Sequence, residues 1–279
     1  MIELGRIGVW TSFGPFGAER AGEAARIAEA LGFGAWWVGG SPQARDVRPI
    51  LEATSSLVAA TGILNVWRSD PAETAAAAAE LRAAFPGRFM LGIGIGHPEA
   101  TSDYRRPLTA MRAFLDALDA APEPPPADER CLAALRAKML DLAAERTAGA
   151  HPYFVPVEHT RVARERVGPG KLVATEVACV VETDPVRGKA VARAFAERYL
   201  GMSNYTNNLL ELGFTERDLA DGGSDRLVDA VIPQGDAGTI AEVVRAHLDA
   251  GADHVCVQPL GEDGIPRRSW EALARALIG

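Results

Sequence analysis

The amino-acid sequence predicts a single (β/α)8 barrel, the TIM-barrel class of α/β fold, spanning residues 1–279. Eight short apolar segments of the kind that form buried strands alternate along the chain with helical segments. Strands separated by helices pair in parallel through right-handed crossovers, and 279 residues is the size of one such barrel. No internal repeat divides the chain into domains. The main alternative is a doubly wound open sheet.

The first half of the chain contains four predicted strands and four predicted helices. The strands cover residues 5–10, 35–38, 61–67 and 89–93. The helices cover residues 19–31, 49–60, 71–85 and 108–121. Gly32 is expected to cap the end of the first helix. Asp70 is expected to cap the start of the third, because Pro71 then occupies the first helical position.

The second half continues the same alternation to the end of the chain. Its strands are predicted at residues 131–135, 149–154, 172–181 and 252–258. Its helices are predicted at residues 138–146, 158–167, 185–200, 236–250 and 269–277. Glycine breaks indicate short extra helices around residues 203–229. The proline-rich residues 122–126 are interpreted as a loop rather than a domain linker.

Composition narrows the class of protein. The chain is 48% apolar and 24% charged, which is ordinary for a soluble globular enzyme. A net charge of −8 argues against a general nucleic-acid or anionic-membrane binder. Three cysteines within apolar runs indicate a reducing environment. Because neither a leader nor a membrane span is recognised, we expect a cytoplasmic protein with a small-molecule substrate.

In a barrel of this kind the active site lies at the carboxyl ends of the strands. The predicted strand exits are residues 10–12, 39–41, 65–68, 94–97, 135–138, 151–153 and 258. They contain glycine, tryptophan, asparagine and histidine, with no recognisable hydrolase triad or metal-ligand cluster. This mixture suits a flat aromatic ligand held by backbone amides and apolar faces.

The fourth strand exit is the most distinctive stretch of the sequence. Residues 88–98 read RFMLGIGIGHP, with glycine at three alternate positions. Glycine lets a ligand approach the backbone closely because there is no Cβ. A dinucleotide-binding fingerprint would require a helix directly after the glycines, but Pro98 and a polar run follow. We therefore interpret Gly94 and Gly96 as the end of a barrel strand facing a ligand.

The order of these motifs resembles the luciferase-like monooxygenase superfamily, and within it the actinobacterial branch of F420-dependent oxidoreductases. The segments that carry the resemblance are AWWVGGSP, TGILNVWRSDP, GRFMLGIGIGHPE, MLDLAAERTAGAHPYFVPVEHT and AGADHVCVQPL. The resemblance implies a luciferase-like barrel in which a flavin or deazaflavin ring lies across the strand ends. It also implies a homodimer.

The resemblance assigns cofactor contacts to several of the strand exits. A backbone bulge after strand three, often with a non-proline cis peptide, would fall at Asn65-Val66 and support the ring. Alternatively, Asn65 only caps the strand exit. The residues expected to contact the cofactor are Gly39, Gly40, Asn65, Val66, Trp67, Gly94, Gly96, Leu135, Arg136, Ala137, Lys138, Gly149 and Ala150.

The cofactor phosphate is expected where strand five opens into a helix, because free amides and the helix dipole favour an anion. Relatives often carry Gly-Pro where this chain has Arg136-Ala137. The charges of Arg136 and Lys138 could replace that backbone approach. Alternatively, the two form an ordinary solvated basic pair.

Proton transfer is assigned to two histidines. Other deazaflavin enzymes with this barrel end strand two in an acidic residue and a histidine, whereas this chain has Gly39-Gly40-Ser41. His97 and His151 are then the candidate catalytic residues, since imidazole titrates near neutrality. The alternative for His151 is a structural hydrogen bond.

Three functions remain open at this point. The first is an F420-dependent oxidoreductase that transfers a hydride between the deazaflavin C5 and a small organic substrate. The second is a two-component luciferase-like monooxygenase that uses FMN. The third is a non-catalytic barrel, which the altered exits of strands two and five would favour. Residues 98–107 and 202–225 are expected to form the lid and the substrate wall.

Overall fold

The computed structural model describes residues 2–101 and 104–279, and it confirms a closed parallel barrel. The barrel strands are β1 Ile7–Thr11, β2 Ala35–Val38, β3 Val58–Thr61, β4 Phe89–Gly94, β5 Arg130–Leu132, β6 Gly149–Ala150, β7 Leu172–Val181 and β8 His254–Pro259. Each strand pairs with the next in the chain, and β8 pairs with both β7 and β1, which closes the cylinder. Two short segments, Leu64–Asn65 and Gln234–Gly235, extend the sheet beside β4 and β7.

Helices cover the outside of the barrel and connect consecutive strands. They are α1 Ala21–Ala30, α2 Arg48–Ala53, α3 Pro71–Ala84, α4 Pro107–Asp119, α5 Ala137–Arg146, α6 Val157–Val167, α7 Pro185–Leu200, α8 Ser203–Glu211, α9 Glu216–Leu219, α10 Asp225–Val231, α11 Ala237–Asp249 and α12 Arg267–Leu277. The cap predicted for α3 is confirmed, since the Asp70 carboxylate accepts from the amides of Ala72 and Glu73 at 2.9 Å. None of the helices within the described ranges has the length and apolarity needed to cross a bilayer.

The apolar side chains form three groups. The first fills the space between strands and helices and includes Trp36, Leu91 and Trp270. The second fills the barrel interior and includes Trp37 and Met90. The third lies beneath α8 and α10 at the carboxyl end of β7. It forms an aromatic wall at the carboxyl end of β7.

The strands β3, β5 and β6 differ from their predicted bounds by three residues or more. The fifth strand ends at Leu132 rather than residue 135. The predicted helix at residues 49–60 is wrong at its end, because α2 stops at Ala53 and β3 starts at Val58. The sequence Val-Ala-Ala-Thr is fully covered on both faces, so small residues there serve strand packing rather than a helix. The sixth strand ends at Ala150 rather than residue 154, and Pro152 cannot donate a ladder hydrogen bond.

The cis peptide expected after strand three lies elsewhere. It joins Gly62 to Ile63, three residues before the predicted Asn65-Val66 bond. Since β3 ends at Thr61, the bulge follows directly on the strand, and the chain then returns to pair Leu64 with Ile93. The predicted position was wrong because the strand itself was placed too late in the sequence.

Candidate functional site

A cavity of about 780 Å³ opens at the carboxyl ends of the barrel strands. Its size is within the range of small-molecule and cofactor sites. Ten of the predicted site residues line it: Gly40, Asn65, Gly94, Gly96, His97, Leu135, Arg136, Ala137, Lys138 and His151. The barrel therefore brings residues from separate predicted strand exits together at one cavity, although they are far apart in the sequence.

The other five predicted residues lie behind this lining. They are Gly39, Val66, Trp67, Gly149 and Ala150, none of which is part of the cavity wall. A Cβ on Gly39 would lie 2.1 Å from the Trp10 ring, so that glycine makes room for packing. The Trp67 indole donates to the Ile95 carbonyl at 2.6 Å. Gly149 and Ala150 pair with β5 and β7.

The glycine pattern at the end of β4 accommodates the bulge after β3. A Cβ on Gly94 would lie 2.3 Å from Cδ1 of Ile63, the residue after the cis peptide. Gly96 has φ +66°, and a Cβ there would lie 2.7 Å from Nδ2 of Asn65. The Ile63 side chain consequently reaches the cavity and forms an apolar part of its floor.

Asn65 both caps the strand exit and lines the cavity. Its Oδ1 accepts from the Trp67 amide at 2.9 Å, which is the capping role considered as the alternative. Its side chain is only 6% exposed, and the exposed part faces the cavity. The two interpretations of Asn65 are therefore compatible.

Positive side chains surround the mouth of the cavity. Arg136 precedes α5 and Lys138 lies in its first turn, where no side chain caps the helix. Arg68 and Arg198 also line the cavity, and Glu211 is the one carboxylate among the described lining residues. Glu211 lies 3.4 Å from Arg136, but the two side chains are 60% and 47% exposed, so this ion pair is weak. The cavity mouth is thus cationic in a chain of net charge −8.

His97 lies at the edge of the cavity, on the loop after β4. Burial lowers the pKa of its imidazole, and the nearby Glu99 carboxylate partly opposes that effect. Its ring packs against Tyr205 with 5.0 Å between centroids. Nδ1 lies 3.4 Å from the amide nitrogen of Asn204. His97 is therefore a neutral or weakly basic group in contact with the cavity.

His151 occupies the floor of the cavity but is unsuited to donate a proton. It is 2% exposed, stacks on Trp37 at 4.1 Å between centroids, and its Nδ1 donates to the Ala174 carbonyl at 2.7 Å. Burial lowers its pKa to about 4, so the ring is neutral at physiological pH. Its Nε2 is buried without a hydrogen-bond partner among the described residues. This environment favours the structural alternative for His151.

One wall of the cavity consists of three tyrosines to which the sequence analysis had assigned no individual role. Tyr199 and Tyr153 are joined through their hydroxyls at 2.8 Å, and Tyr153 donates to Gln258 at 2.9 Å. Tyr205 packs edge-on against Tyr199 at 5.2 Å between centroids. Burial raises the pKa of all three phenols, so they are neutral. Tyr153 lies at the predicted strand exit 151–153 and Tyr205 lies within residues 202–225, whereas Tyr199 on α7 lies outside both predicted segments.

A buried carboxyl group lies behind this wall. Glu176 of β7 is 1% exposed and pairs in register with Cys256, whose side chain is in the barrel interior. Its Oε2 accepts from the Phe154 amide at 3.1 Å. Burial raises the pKa of Glu176 to about 8. A single charged residue within the apolar run LVATEVACVV was the sequence signal that could have identified it.

Comparisons with known proteins agree with this architecture. Residues 1–254 match the family profile described as luciferase-like monooxygenase. None of the curated proteins matches the sequence. An F420-dependent secondary alcohol dehydrogenase in complex with an F420–acetone adduct has a similar structure, with a TM-score of 0.77, 16% identity and 98% of each chain covered.

Two further solved structures have the same fold. The coenzyme F420-dependent tetrahydromethanopterin reductase from Methanopyrus kandleri has a TM-score of 0.74 at 15% identity, covering 98% of this chain and 99% of its own. The oxygenating constituent of 3,6-diketocamphane monooxygenase from Pseudomonas putida, in complex with FMN, has a TM-score of 0.68 at 15% identity, with 98% of each chain covered. At these identities the likeness concerns the fold.

Proposed function

The chain belongs to the luciferase-like monooxygenase family, and from that premise we propose that it is an F420-dependent oxidoreductase acting on a small organic substrate. The observation that carries this proposal is the cationic mouth of an otherwise largely apolar cavity. Coenzyme F420 joins a planar deazaflavin to a phosphodiester and a glutamate tail, whereas FMN ends in a single phosphate. Several cations around the mouth suit the more highly charged ligand better.

The residues of the cavity fit the separate parts of such a cofactor. Arg136, Lys138 and the start of α5 would hold the phosphodiester. Arg68 and Arg198 lie at the same cavity and would attract carboxylates. Ile63 and the glycine-rich end of β4 provide a flat apolar surface for a ring. When bound, a reduced deazaflavin supplies a hydride from C5 and does not favour oxygen activation.

The protein itself would orient the substrate and exclude water. The tyrosine wall and His97 line the cavity, so we place the substrate beside them. The phenols are neutral hydrogen-bond donors, as described above, and they suit an uncharged substrate with an acceptor oxygen. A homodimer and a cytoplasmic location stay predictions; light scattering during size-exclusion chromatography would test the dimer.

Fluorescence titration of the purified protein with F420, and in parallel with FMN, tests the cofactor. We expect F420 to bind more tightly than FMN. The double variant Arg136→Gln/Lys138→Gln should weaken F420 binding about tenfold or more, because it removes two charges beside the anion. Arg161→Gln/Arg275→Gln is the matched control, since it removes the same charge from exposed positions outside the cavity wall.

Two outcomes would contradict the proposed function, and a third would contradict the proposed phosphate site. Preference for FMN would turn the assignment to a flavin-dependent monooxygenase of the same fold. Binding of neither cofactor at tens of micromolar would favour a non-catalytic barrel. Equal weakening in both double variants would mean that overall charge, rather than a phosphate site, attracts F420.

A further inference from the structure

Asn204, in the first turn of α8, connects that helix to the loop that follows β4. Its amide nitrogen lies 3.1 Å from the Gly96 carbonyl oxygen, 3.4 Å from Nδ1 of His97 and 3.5 Å from the Tyr104 hydroxyl. A second contact joins the same two segments, because the Glu99 carboxylate accepts from the Ser203 amide at 3.0 Å. The position of His97 therefore depends on α8 as well as on its own strand.

The Gly96 carbonyl determines which end of the Asn204 amide faces the loop. A carbonyl oxygen only accepts hydrogen bonds, so the group 3.1 Å away must be the NH2. The reversed amide would place two acceptor oxygens against each other. The second hydrogen of the NH2 group faces Nδ1 of His97 at 3.4 Å and the Tyr104 hydroxyl at 3.5 Å. Because an amide NH2 cannot accept a hydrogen bond, it meets Nδ1 only as a donor.

A donor at Nδ1 fixes the tautomer of the imidazole. A neutral imidazole has one protonated and one unprotonated nitrogen, and the nitrogen facing a donor must be the unprotonated one. The proton then lies on Nε2, at the opposite edge of the ring. Nε2 has no hydrogen-bond partner among the described residues, and His97 is part of the cavity lining.

We propose that Asn204 is a positioning residue that holds His97 as the Nε2–H tautomer, so that His97 presents a hydrogen-bond donor to an acceptor oxygen of the substrate, such as a carbonyl. The tautomer follows from the contacts alone, whereas the role toward substrate rests on the proposed function. A neutral imidazole stabilises a developing oxyanion by donating a hydrogen bond, and it need not release its proton.

Two buried histidines make the proposal measurable because they have the opposite tautomer. His151 and His254 donate from Nδ1 to backbone carbonyls at 2.7 Å, and their Nε2 atoms are buried without a described partner. They provide internal references for a protonated Nδ1 and for an unprotonated nitrogen that accepts no hydrogen bond. The remaining surroundings of His97 are the Glu99 carboxylate and the Tyr104 and Tyr205 phenols.

The experiment is long-range ¹H–¹⁵N NMR of the full-length protein with ¹⁵N-labelled histidine, with His97 assigned by its loss in His97→Asn. We expect a protonated Nε2 in His97, and an Nδ1 signal displaced from the reference signals by its hydrogen bond. Asn204→Leu should move the Nδ1 signal toward those of the unpartnered nitrogens. Asn207→Leu is the matched control, because Asn207 lies exposed on the same helix.

Asn204→Asp provides a second test that retains the size of the side chain. A carboxylate facing Nδ1 should reverse the tautomer and raise the pKa of His97 by about one unit or more. A protonated Nδ1 in the wild type, or a His97 signal indifferent to both Asn204 variants, would overturn the proposal. Because these signals need no cofactor, a failure here is distinguishable from a failure of F420 binding.

Discussion

At the scale of single residues, two glycines of β4 have different neighbours and so different functions. A Cβ on Gly92 would lie 1.9 Å from the carbonyl oxygen of Thr61, which is backbone and cannot move aside. A Cβ on Gly94 would instead meet the end of the Ile63 side chain at 2.3 Å, which can rotate. Gly92 is therefore required by the barrel, and Gly94 by the shape of the cavity.

These neighbours predict that one alanine variant mainly loses stability and the other mainly loses cofactor binding. Gly92→Ala should lower the free energy of unfolding by about 3 kcal/mol or more, because strand backbones must separate. Gly94→Ala should cost only about 1 kcal/mol but displace Ile63 into the cavity and weaken cofactor binding. Urea unfolding and F420 titration measure the two effects. Adding Ile63→Ala to Gly94→Ala should restore binding; failure to do so would remove Ile63 from the cavity floor.

Glu176 predicts a pH dependence of stability with a definite sign. Its folded-state pKa of about 8 is above the unfolded value of about 4.5, so the unfolded chain holds fewer protons between these limits. This group therefore lowers the free energy of unfolding as pH rises from about 4.5 to 8. Glu176→Gln removes that loss, and its stability relative to wild type should rise by about 3 kcal/mol between pH 5 and pH 8.

Urea unfolding monitored by tryptophan fluorescence at both pH values measures this difference. Gln also changes packing and hydrogen bonding, but that contribution is the same at both pH values and cancels. Glu165→Gln, an exposed change on α6, is the control and should leave the difference flat. If the difference in unfolding free energy between Glu176→Gln and wild type were the same at pH 5 and pH 8, the Glu176 carboxyl group would be ionised in the folded wild-type protein.

At the scale of elements, a single carboxylate oxygen fixes α1 to the start of β3. Oε1 of Glu29 accepts from the amides of Ser55, Ser56 and Leu57 at 2.8, 2.6 and 3.1 Å. Burial acts to raise the pKa of Glu29, but these hydrogen bonds outweigh it and lower the pKa to about 2.

Removing this charge should loosen the junction of α1 and β3. Glu29→Gln keeps the shape but leaves fewer acceptor sites for three amides, and should cost about 2 kcal/mol at pH 7. The stabilisation is present above the unfolded pKa of about 4.5 and is lost as pH falls toward 2. Glu52→Gln, which breaks an exposed ion pair with Arg48, is the control and should cost less than about 1 kcal/mol. Equal costs would contradict the prediction.

At the scale of the whole molecule, the cavity at the strand ends is lined by four Arg and Lys side chains and one carboxylate among the described residues, although the chain is acidic overall. The closed barrel and the layer of helices around it contain buried imidazoles, with His247 on α11. Burial lowers the pKa of His151, His247 and His254 to about 4. These imidazoles are folded into the protein without a charge, and the interior therefore tolerates acid poorly.

Their depressed pKa values predict a loss of stability in mild acid. Below about pH 6.5 the unfolded chain binds protons that the folded chain does not, so the free energy of unfolding falls as pH decreases toward 4. Each imidazole should contribute a loss of roughly 2 kcal/mol at pH 5. Over this range the titration of Glu176 changes the free energy of unfolding in the opposite direction. The effect of the imidazoles is therefore measured in the Glu176→Gln variant, by urea unfolding at pH 7 and at pH 5. Unchanged stability would show that these rings are protonated in the folded protein.

The sequence by itself determined the barrel, most strand and helix positions, and the end of the barrel that carries the cavity. Apolar periodicity and glycine breaks are local signals, and parallel pairing follows from their alternation. It also identified residues 135–138 and His97 at the cavity, because both follow directly from strand exits.

Only the tertiary structure decided the remaining features of the site. Val58–Thr61 is a strand because β2 and β4 pair with its two edges and packed side chains cover both its faces, which overrides the helical preference of alanine. The cis bond lies at Gly62-Ile63, a position that the predicted strand bounds did not give. The tyrosine wall and the contacts of Asn204 with Gly96 and His97 join residues up to 108 positions apart in the sequence. Such contacts depend on packing between distant elements, and no local pattern in the sequence records them.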